Sequence, residues 1–586
     1  MDKYVEVFAA MKKSVLLFTR PVMVICVVIL SSVVAYSFPG DGADDFLLDG
    51  PLKACTNIMV GKGATIDGST IGSFSCDGPP FGAVGVEPRH TYSPGTMMPI
   101  YRFDMSKNVK QYAKNLKEKK LLGAVPQAEK TQRYIDMMVG LDPWHDGGMN
   151  ECGLTIGDST IGGRPELYNQ EGILMTLSNE TQRSLIIIAL QRAKTAREAI
   201  KLIGSLAEEY GFYDEYFHGD HLVLTDGSET WSMEIFGCGS GWQPGSGKPG
   251  ALWCAQRIPD DHIGVCANRS RIGEIDLDNS DYFMASPNVF SVAIENGWWD
   301  PESGEPFIWY RVYGSECGLG CILREWTVLN AAAPSLNLDP GAERFPFSVK
   351  PDKLLSVQDI MSMHRNALEG TPYDTTENPV FYQEGQKHPM ACQWGPWELH
   401  RLLGIRSHGG IANPRAAFTF ISEIRADLPE PIRGCLWLGL GPAATTCYVP
   451  VYSGVTRIPE HWSKTEPSRI DREDAWWAFN LVSNLSTFKY QVAKDEIEDV
   501  RNPVEAAFFA KQAHFERTIT ALYSQHPKSN ADKRACDLVT LYTNSCMNAV
   551  ADGYRELVDY LLIRLFFQYN TWIELKKPAI DLLFLQ

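Results

Sequence analysis

The chain has 586 residues, a formal net charge of −17 at pH 7 and a hydrophobic fraction of 44%. That fraction is ordinary for a folded globular protein, and an acidic chain without a stripe of Lys and Arg is not expected to bind nucleic acid. Length alone suggests about three or four domains, although large single-core enzymes often depart from that estimate.

The first residues have the pattern of an export signal. Lys12, Lys13 and Arg20 precede an apolar run of 15 residues, from Val22 to Tyr36. A membrane-spanning helix needs about 20 apolar residues, whereas the core of a signal peptide needs about 7–15. We therefore expect residues 1–37 to be a signal peptide, the protein to be secreted or periplasmic, and membrane contact to be confined to this segment. An uncleaved anchor is the alternative.

Residues 38–54 form an acidic spacer rich in Gly, Asp and Pro, FPGDGADDFLLDGPLKA, without a helical or strand period. Because this spacer separates Cys55 from the apolar run, we do not expect Cys55 to carry a lipid. We interpret the spacer as a propeptide or linker whose removal would make Cys55 the first residue.

A strand pattern begins at Cys55. TNIMVG and STIGSFSC flank Asp67-Gly68, a dipeptide typical of hairpin turns. A turn centred there would put Asn57 and Ile58 opposite Asp77 and Gly78, with Asp77 within about 10 Å of Cys55.

Further along the chain, strands alternate with a pair of helices. GLTIGDST predicts a strand after the turn-rich DGGMNE, and residues 181–192 predict a helix. Thr195 and Glu198 make a capping box that opens a second helix. Asp226-Gly227 predicts another hairpin, and HIGVCANRS a further strand. This order favours antiparallel sheets covered by helices, in the α+β class.

The C-terminal part is helical in pattern. Asn502-Pro503 predicts a helix start, with the helix running to Tyr523, and residues 552–568 predict another helix whose charges exclude a membrane span. We therefore divide the chain into residues 55–480, which carry the chemistry, and a helical region, residues 481–586.

An N-terminal cysteine combines a nucleophile with a base. An α-amine ordinarily has a pKa of about 7.7–8.0, so near neutral pH it can accept the proton of the thiol. No such base exists while the Ala54–Cys55 peptide bond is intact. The propeptide would thus keep the protein inactive as a zymogen.

Five blocks of sequence resemble peptidase family C69, whose members are dipeptidases of the N-terminal-nucleophile hydrolase type. The blocks, in order, are ACTNIMVGKGATIDGS, GMNECGLTIGDSTIGGR, CANRSRIGEI, RNALEGTPYD and VPVYSGVTRIPE, and the resemblance extends from Cys55 to about residue 515. Five ordered blocks are far more specific than one short motif. The resemblance implies a four-layer αββα sandwich, here with a helical C-terminal extension, and hydrolysis of small peptides.

The resemblance also implies roles for single residues. Cys55 matches the nucleophile and Asp77 the aspartate that orients its amine. Asn268 matches the oxyanion-hole asparagine of the related bile-salt and penicillin-V acylases, and Asn150 a second substrate-facing asparagine. Those relatives carry an arginine where this chain has Phe74.

Each position also has a simpler interpretation. Asp77-Gly78 and Asn150 are common in turns and caps, and Asn268-Arg269-Ser270 is a glycosylation sequon.

Because Phe74 replaces the relatives' arginine, Arg271 is our candidate for stabilising the thiolate.

The block after Asn150 offers partners for the two ends of a dipeptide. Asp158 is our candidate for the substrate ammonium and Arg164 for its carboxylate. An amidase for other amides and a non-enzymatic secernin-like protein are the alternative functions.

We expect no cofactor and no metal, because His218 and His221 lack a further ligand motif. Cys317 and Cys321 are close enough to pair, and the sequence leaves the oligomeric state open.

Overall fold

The computed structural model describes residues 55–78, 81–101, 120–139, 144–176, 184–214, 218–395, 397–405, 408–466, 469–566 and 575–585. The predicted signal peptide and propeptide lie outside the described residues.

Nineteen strands lie in the described ranges. They are β1 Thr56–Val60, β2 Thr70–Cys76, β3 Gly82–Glu87, β4 Met97–Tyr101, β5 Leu121–Pro126, β6 Tyr134–Val139, β7 Trp144–Asn150, β8 Thr155–Gly162, β9 His218–Thr225, β10 Thr230–Gly237, β11 Ala251–Arg257, β12 Ile263–Cys266, β13 Phe283–Ala285, β14 Ser348–Val349, β15 Tyr382–Gln383, β16 Gln386–Lys387, β17 Phe418–Ile424, β18 Gly434–Leu440 and β19 Val449–Tyr452.

Twelve α-helices lie in the same ranges. They are α1 Leu185–Arg192, α2 Ala196–Tyr210, α3 Ser291–Glu295, α4 Trp309–Val312, α5 Leu319–Ala332, α6 Val357–His364, α7 Trp397–Leu403, α8 Glu430–Arg433, α9 Glu460–Ser463, α10 Ala475–Ser486, α11 Tyr490–Gln525 and α12 Lys528–Phe566.

Two large antiparallel sheets form the centre of the described structure. The seven-stranded sheet has the order β14-β12-β1-β2-β17-β18-β19, and the eight-stranded sheet the order β13-β11-β10-β9-β8-β7-β6-β3. Strands β4 and β5, and β15 and β16, form two further pairs. The predicted α+β class and antiparallel sheets are confirmed.

The two sheets meet at a glycine. A Cβ added to Gly157 of β8 would lie 2.7 Å from the Cβ of Phe74 on β2, so only glycine allows this close approach. Phe74 packs edge-on against Phe418 and Phe420 of β17. Phe74 is therefore part of the apolar core between the sheets.

Helices pack against both sheets. The apolar residues of α1 and α2 join those of β9, β10 and β11 in one buried cluster. Thr195 caps α2, as predicted, by accepting a hydrogen bond from the backbone N–H of Glu198. On the seven-stranded sheet, α5 and α6 contribute buried residues to the core that β1, β2 and β17 share.

The first hairpin is confirmed, but its predicted register is wrong. Thr56 pairs with Ser75 and Asn57 with Phe74, which is four residues from the predicted pairing. Asp67 does not stand at the centre of a tight turn. Its carboxylate accepts hydrogen bonds from the backbone and hydroxyl of Ser69 within a longer connection that includes a short 3-10 helix, Lys62–Ala64.

The segment DGGMN, which we predicted as a turn, belongs to strand β7. Gly147 and Gly148 have φ angles of 147° and 151°. A Cβ on Gly148 would lie 2.0 Å from the carbonyl oxygen of Ile135 on β6. The glycines therefore mark close strand packing rather than a chain reversal.

The predicted helix start at Asn502-Pro503 is also wrong, because α11 begins at Tyr490 and contains Pro503. Asn502 and Pro503 are both exposed. Proline has no backbone N–H, so one carbonyl in the preceding turn lacks its helical hydrogen bond, and water can reach it here. The predicted hairpin at Asp226-Gly227 and the strand GLTIGDST are confirmed, whereas only Ile263–Cys266 of the predicted strand HIGVCANRS is a strand.

The C-terminal helices pack into the same core as the seven-stranded sheet. Tyr554 of α12 stacks on Phe479 of α10, and its hydroxyl donates to the Thr445 carbonyl. Thr543 donates to the carbonyl of Pro450 on β19. Within the described residues, no helix is both long and apolar enough to cross a membrane. The division at residue 481 stays a prediction.

Candidate functional site

Cys55 lies directly before β1 as a half-buried free thiol. Arg324 of α5 donates through Nη1 to the Cys55 carbonyl at 2.6 Å and to Thr56 Oγ1 at 3.0 Å. Because β1 is an inner strand between β12 and β2, the residues that follow Cys55 are paired on both sides.

Asp77 follows the last residue of β2 and is 2% exposed. Ser75 Oγ donates to its Oδ1 at 2.8 Å, while Oδ2 is buried without a hydrogen-bond partner among the described residues. Burial raises the pKa of Asp77 to about 8, although the charges of Arg324 and Arg415 act in the opposite direction. Asp77 Oδ2 is therefore available for a further hydrogen bond.

Cys76 lies between Cys55 and a second buried carboxyl. Its thiol donates to Asp146 Oδ2 at 2.9 Å. Burial raises the pKa of Cys76 well above the usual value for a thiol, and it raises the pKa of Asp146 to about 7. No sequence pattern pointed to either residue, because their contact depends on how the sheets face each other.

Asn268 follows β12 in a left-handed conformation, with φ 60°. Its Nδ2 donates to the Thr160 carbonyl at 2.8 Å, and its Oδ1 accepts from Arg324 Nη2 at 3.0 Å. At 1% exposure the side chain is inaccessible, which contradicts the glycosylation alternative. Arg324 thus ties Asn268 to Cys55, but the Asn268 amide is engaged by β8.

Arg324 is the functional candidate that we missed. The only signal was an Arg-Glu pair within the largely apolar helix sequence LGCILREWTVLNAA. Its contact with Cys55 joins residues 269 positions apart, which no local pattern reveals. Neighbouring Cys321 forms a disulfide with Cys317, as the spacing suggested.

Arg271 does not have the environment that we predicted for it. Its Nη1 pairs with Glu325 Oε2 at 2.7 Å, and its other nitrogens donate to the carbonyls of Val265 and Pro346. Glu325 also binds Arg269 at 2.5 Å. Arg271 belongs to this buried ion network, and the guanidinium beside Cys55 is that of Arg324.

Asn150 has the turn role that we considered as its alternative. Its Nδ2 donates to the carbonyls of Leu190 and Ala193 at 3.0 and 2.8 Å, and its Oδ1 accepts from the backbone N–H groups of Cys152 and Leu154. The side chain is fully buried. These four bonds use its hydrogen-bonding capacity, so the geometry gives no support to a substrate-facing role.

Asp158 shares one face of the eight-stranded sheet with Asp220. Asp158 pairs with Leu222 and Thr160 with Asp220 across β8 and β9, and alternation puts the two carboxyls on the same side. They are 3% and 2% exposed, and each has an oxygen without a hydrogen-bond partner among the described residues. Burial, and the charge of Asp220, raise the pKa of Asp158 well above its usual value.

Arg164 is held elsewhere. Its Nε donates to the Val312 carbonyl at 2.5 Å, and its guanidinium lies 5.0 Å from the ring centroid of Trp298. It follows Asp158 by six residues along an extended segment, which corresponds to about 20 Å. A dipeptide spans only about 7 Å, so Arg164 and Asp158 are not placed to hold its two ends.

His221 is a buried link between the sheets rather than an open ligand. Its Nδ1 lies 3.0 Å from Asn57 Nδ2 and its Nε2 lies 2.9 Å from Ser232 Oγ. Burial lowers its pKa to about 3, so the ring is neutral. His218 contacts the backbone carbonyl of Asp214. Each histidine thus has a hydrogen-bond partner within the fold.

The sequence around these residues matches a known family. Peptidase family C69 matches residues 54–502. Dipeptidase A of Lactobacillus helveticus is 25% identical over 453 residues, which cover 76% of this chain and 84% of that protein. A probable dipeptidase of Salmonella dublin is 27% identical over 418 residues, covering 69% of this chain and 82% of that protein.

Among solved structures, penicillin V acylase from Agrobacterium tumefaciens covers 68% of this chain and 86% of its own, at 12% identity and a TM-score of 0.29. A similarity of that size carries no argument about fold or function. The family match, by contrast, spans most of the chain and begins one residue before Cys55. The chain therefore belongs to peptidase family C69.

Proposed function

We propose that this protein is a cysteine dipeptidase whose nucleophile is Cys55 and whose general base is the α-amine of the same residue. The observation that carries the proposal is the half-buried Cys55 thiol at the start of β1, with the Asp77 carboxyl and the Arg324 guanidinium around it. Membership of peptidase family C69, and the dipeptidase names of its relatives, support the choice of substrate.

Release of the amine would complete the site. Cleavage of the Ala54–Cys55 bond would produce an amine at the start of β1, across the hairpin from the end of β2, where Asp77 Oδ2 is buried without a partner in the described structure. A buried carboxyl gains from a hydrogen bond with such a donor, and a positive neighbour lowers its pKa. Asp77 would then hold the amine in the orientation that lets its lone pair accept the thiol proton.

The reaction follows from this arrangement. The Cys55 sulfur attacks the scissile carbonyl while the amine accepts the thiol proton, and the amine then protonates the leaving amino acid. The product is a thioester of Cys55 with the first residue of the substrate. Water, deprotonated by the same amine, attacks the thioester and restores the thiol.

Asn268 would stabilise the tetrahedral oxyanion. One hydrogen of its Nδ2 is held by the Thr160 carbonyl, and the same nitrogen makes only longer contacts, at 3.3 Å, with the hydroxyls of Ser159 and Thr160. Those weaker contacts can be exchanged for the oxyanion. Loss of one such donor costs about 2.7–4 kcal/mol of the activation barrier in a well-studied protease.

The carboxyls of Asp158 and Asp220 would bind the ammonium of the substrate. Both carboxyls lie on the face of β8 and β9 that carries Leu222 and Leu224, next to α1 and α2, and each has an oxygen without a hydrogen-bond partner among the described residues. A bound ammonium would pair with the carboxyl oxygens that lack partners and would lower their pKa.

An amidase acting on other amides is the second candidate. It is favoured by the position of Arg164, which the Val312 carbonyl and Trp298 hold away from a dipeptide carboxylate. Free dipeptides, N-acetylated dipeptides and an acylated bile acid should therefore be compared on one preparation. Faster cleavage of the acetylated or bile-acid substrates would favour the amidase.

N-terminal sequencing of active protein, together with Cys55→Ala, tests the main proposal. Active protein should begin at Cys55, and Cys55→Ala should fold but lose hydrolysis. Full activity in protein that begins at Ser37 or Phe38, or normal turnover by Cys55→Ala, would refute the mechanism.

We also retain two expectations as part of this proposal. The first is a four-layer αββα arrangement, which the packing of helices on both sheets supports. The second is export of the protein, which the apolar run from Val22 to Tyr36 supports. Trypsin accessibility of the protein in intact cells, before and after permeabilisation, tests the second.

A further inference from the structure

Cys55 and Cys76 face each other across the first hairpin. Thr56 is paired with Ser75, so the next opposed pair toward the strand ends is Cys55 and Cys76. Directly opposed residues of antiparallel strands have Cα atoms about 4.5–5.5 Å apart, within the range of about 4.4–6.8 Å found in disulfides. Both thiols are free, and Cys55 is among the neighbours that raise the pKa of Cys76.

The two thiols differ in access. Cys76 is 3% exposed, whereas Cys55 is half-buried and can be reached from solvent. Cys76 donates its proton to Asp146 Oδ2 at 2.9 Å, so a base is already hydrogen-bonded to the inner thiol. This is the arrangement of an exposed reactive cysteine beside a resolving cysteine.

We propose that Cys55 and Cys76 form a modification site, at which oxidation by a hydroperoxide joins them in a reversible disulfide that inactivates the enzyme. The proposal rests on the role of Cys55 as nucleophile. A disulfide would remove the thiol that attacks the substrate, and it would protect that sulfur from irreversible oxidation.

The chemistry balances with a peroxide as oxidant. The Cys55 sulfur, whose proton passes to its α-amine, attacks the hydroxyl oxygen of the hydroperoxide, and the O–O bond breaks. Two electrons pass from sulfur to the peroxide and Cys55 becomes a sulfenic acid. The departing alkoxide takes the proton from the amine and leaves as an alcohol, or as water when the oxidant is hydrogen peroxide. The Cys76 sulfur then attacks the Cys55 sulfur while Asp146 accepts the Cys76 proton. The S–O bond breaks, and the hydroxyl leaves as water with that proton. A dithiol reverses the change by returning two electrons and two protons.

The test uses mature protein that begins at Cys55. Wild-type protein treated with hydrogen peroxide should lose dipeptidase activity and regain it with dithiothreitol. Its peptide map should show a peptide pair joined through Cys55 and Cys76, with a mass two hydrogen atoms below the sum of the two reduced peptides. In Cys76→Ser and Cys76→Ala, each compared with its own starting activity, peroxide should cause a loss that dithiothreitol does not reverse, with Cys55 recovered as sulfinic or sulfonic acid.

Cys254→Ala is the matched control, because Cys254 is a buried free thiol on β11 and is not opposed to Cys55. Like wild type, Cys254→Ala should lose activity with hydrogen peroxide and regain it with dithiothreitol. Wild-type maps that contain no Cys55–Cys76 pair after peroxide, or reversible inactivation that persists in both Cys76 variants, would overturn the proposal. The peptide map detects the disulfide whether or not the protein is active. Failure of the dipeptidase proposal would appear separately, as no hydrolysis by the untreated protein.

Discussion

Arg324 and Arg271 are both buried, but their guanidinium groups contact different partners. Arg324 donates to the Cys55 carbonyl and to Asn268 Oδ1, while Arg271 pairs with Glu325 and donates to backbone carbonyls. Only Arg324 therefore connects the predicted nucleophile with the predicted oxyanion donor.

Substitution of these arginines should separate positioning from stability. Arg324→Lys should lower kcat/KM by about tenfold to a hundredfold, because charged hydrogen bonds contribute about 1.5–3 kcal/mol each and a lysine cannot reach both partners. Arg271→Lys should mainly lower the thermal midpoint. Both quantities should be measured for both variants. If Arg324→Lys and Arg271→Lys lost kcat/KM equally when the same fraction of each protein was folded, Arg324 would have no special role in positioning the site.

Asp158 allows a test of how the substrate amine is recognised. In wild type, N-acetylation of a dipeptide should lower kcat/KM, because it removes the charge that the carboxyl binds. Asp158→Asn should reduce this discrimination by about tenfold or more, since the paired charge is lost. Asp278→Asn, which changes an exposed carboxyl, is the control. If the ratio of kcat/KM for free and N-acetylated dipeptides were the same in Asp158→Asn as in wild type, Asp158 would not bind the substrate amine.

Among single residues, sequence reasoning identified those whose environment depends on nearby chain. Cys55 and Asp77 lie at the ends of the two strands of one hairpin, so their proximity could be anticipated even with the wrong register. Arg324 and Asp146 could not be identified, because each reaches the site from a distant element. Asn150 was misinterpreted because its partners, the carbonyls at the end of α1, are invisible in the local pattern.

Among the secondary-structure elements, β17 and α11 enclose a carboxyl whose charge opposes folding. Glu423 of β17 accepts hydrogen bonds from Gln512 of α11 and from Trp437. Burial raises its pKa to about 7, although Arg425 acts in the opposite direction. A raised carboxyl pKa means that the folded state gains from protonation of this group, and that this gain is lost as pH rises through 7.

Glu423→Gln should therefore stabilise the protein at alkaline pH. Below about pH 4.5 the glutamate is protonated in both states, and the two proteins should be about equally stable. At pH 8 the variant should be more stable by about 3 kcal/mol, as expected for a pKa difference of about two to three units. Urea unfolding at pH 5 and pH 8 measures this, with exposed Glu302→Gln as the control. Parallel pH profiles of wild type and Glu423→Gln would contradict the burial argument.

Element boundaries show where local patterns are insufficient. DGGMN resembles a turn in composition, yet Gly148 is required because a Cβ would collide with the Ile135 carbonyl on the adjacent strand. Asn502-Pro503 resembles a helix start, yet α11 continues through it on its exposed side. By contrast, α2 and the β9–β10 hairpin were predicted well, because a cap, a periodic apolar face and a turn dipeptide all agree there.

In the molecule as a whole, the C-terminal helices are inseparable in packing from the seven-stranded sheet. One buried cluster contains β1, β17 and β18 together with α10, α11 and α12. Packing of this kind predicts cooperative unfolding rather than an independent helical domain.

Leu557→Ala tests that cooperativity. Leu557 is fully buried on α12, so its truncation should cost about 2–5 kcal/mol and shift the unfolding of the entire protein in one transition. Leu541→Ala, at a position that is 65% exposed on the same helix, should change stability by less than about 0.5 kcal/mol. Urea unfolding followed by fluorescence and by circular dichroism should give coincident curves. Two separate transitions would instead support the predicted division near residue 481.

The place of β1 between β12 and β2 has a consequence for the motions of the chain. Protein termini usually fray, and their amide hydrogens exchange with solvent within the shortest times measured. Here the segment that directly follows Cys55 is hydrogen-bonded on both sides, so the amides of Asn57–Val60 should be among the slowest to exchange with deuterium. The new terminus left by propeptide removal would then be among the most rigid parts of the protein.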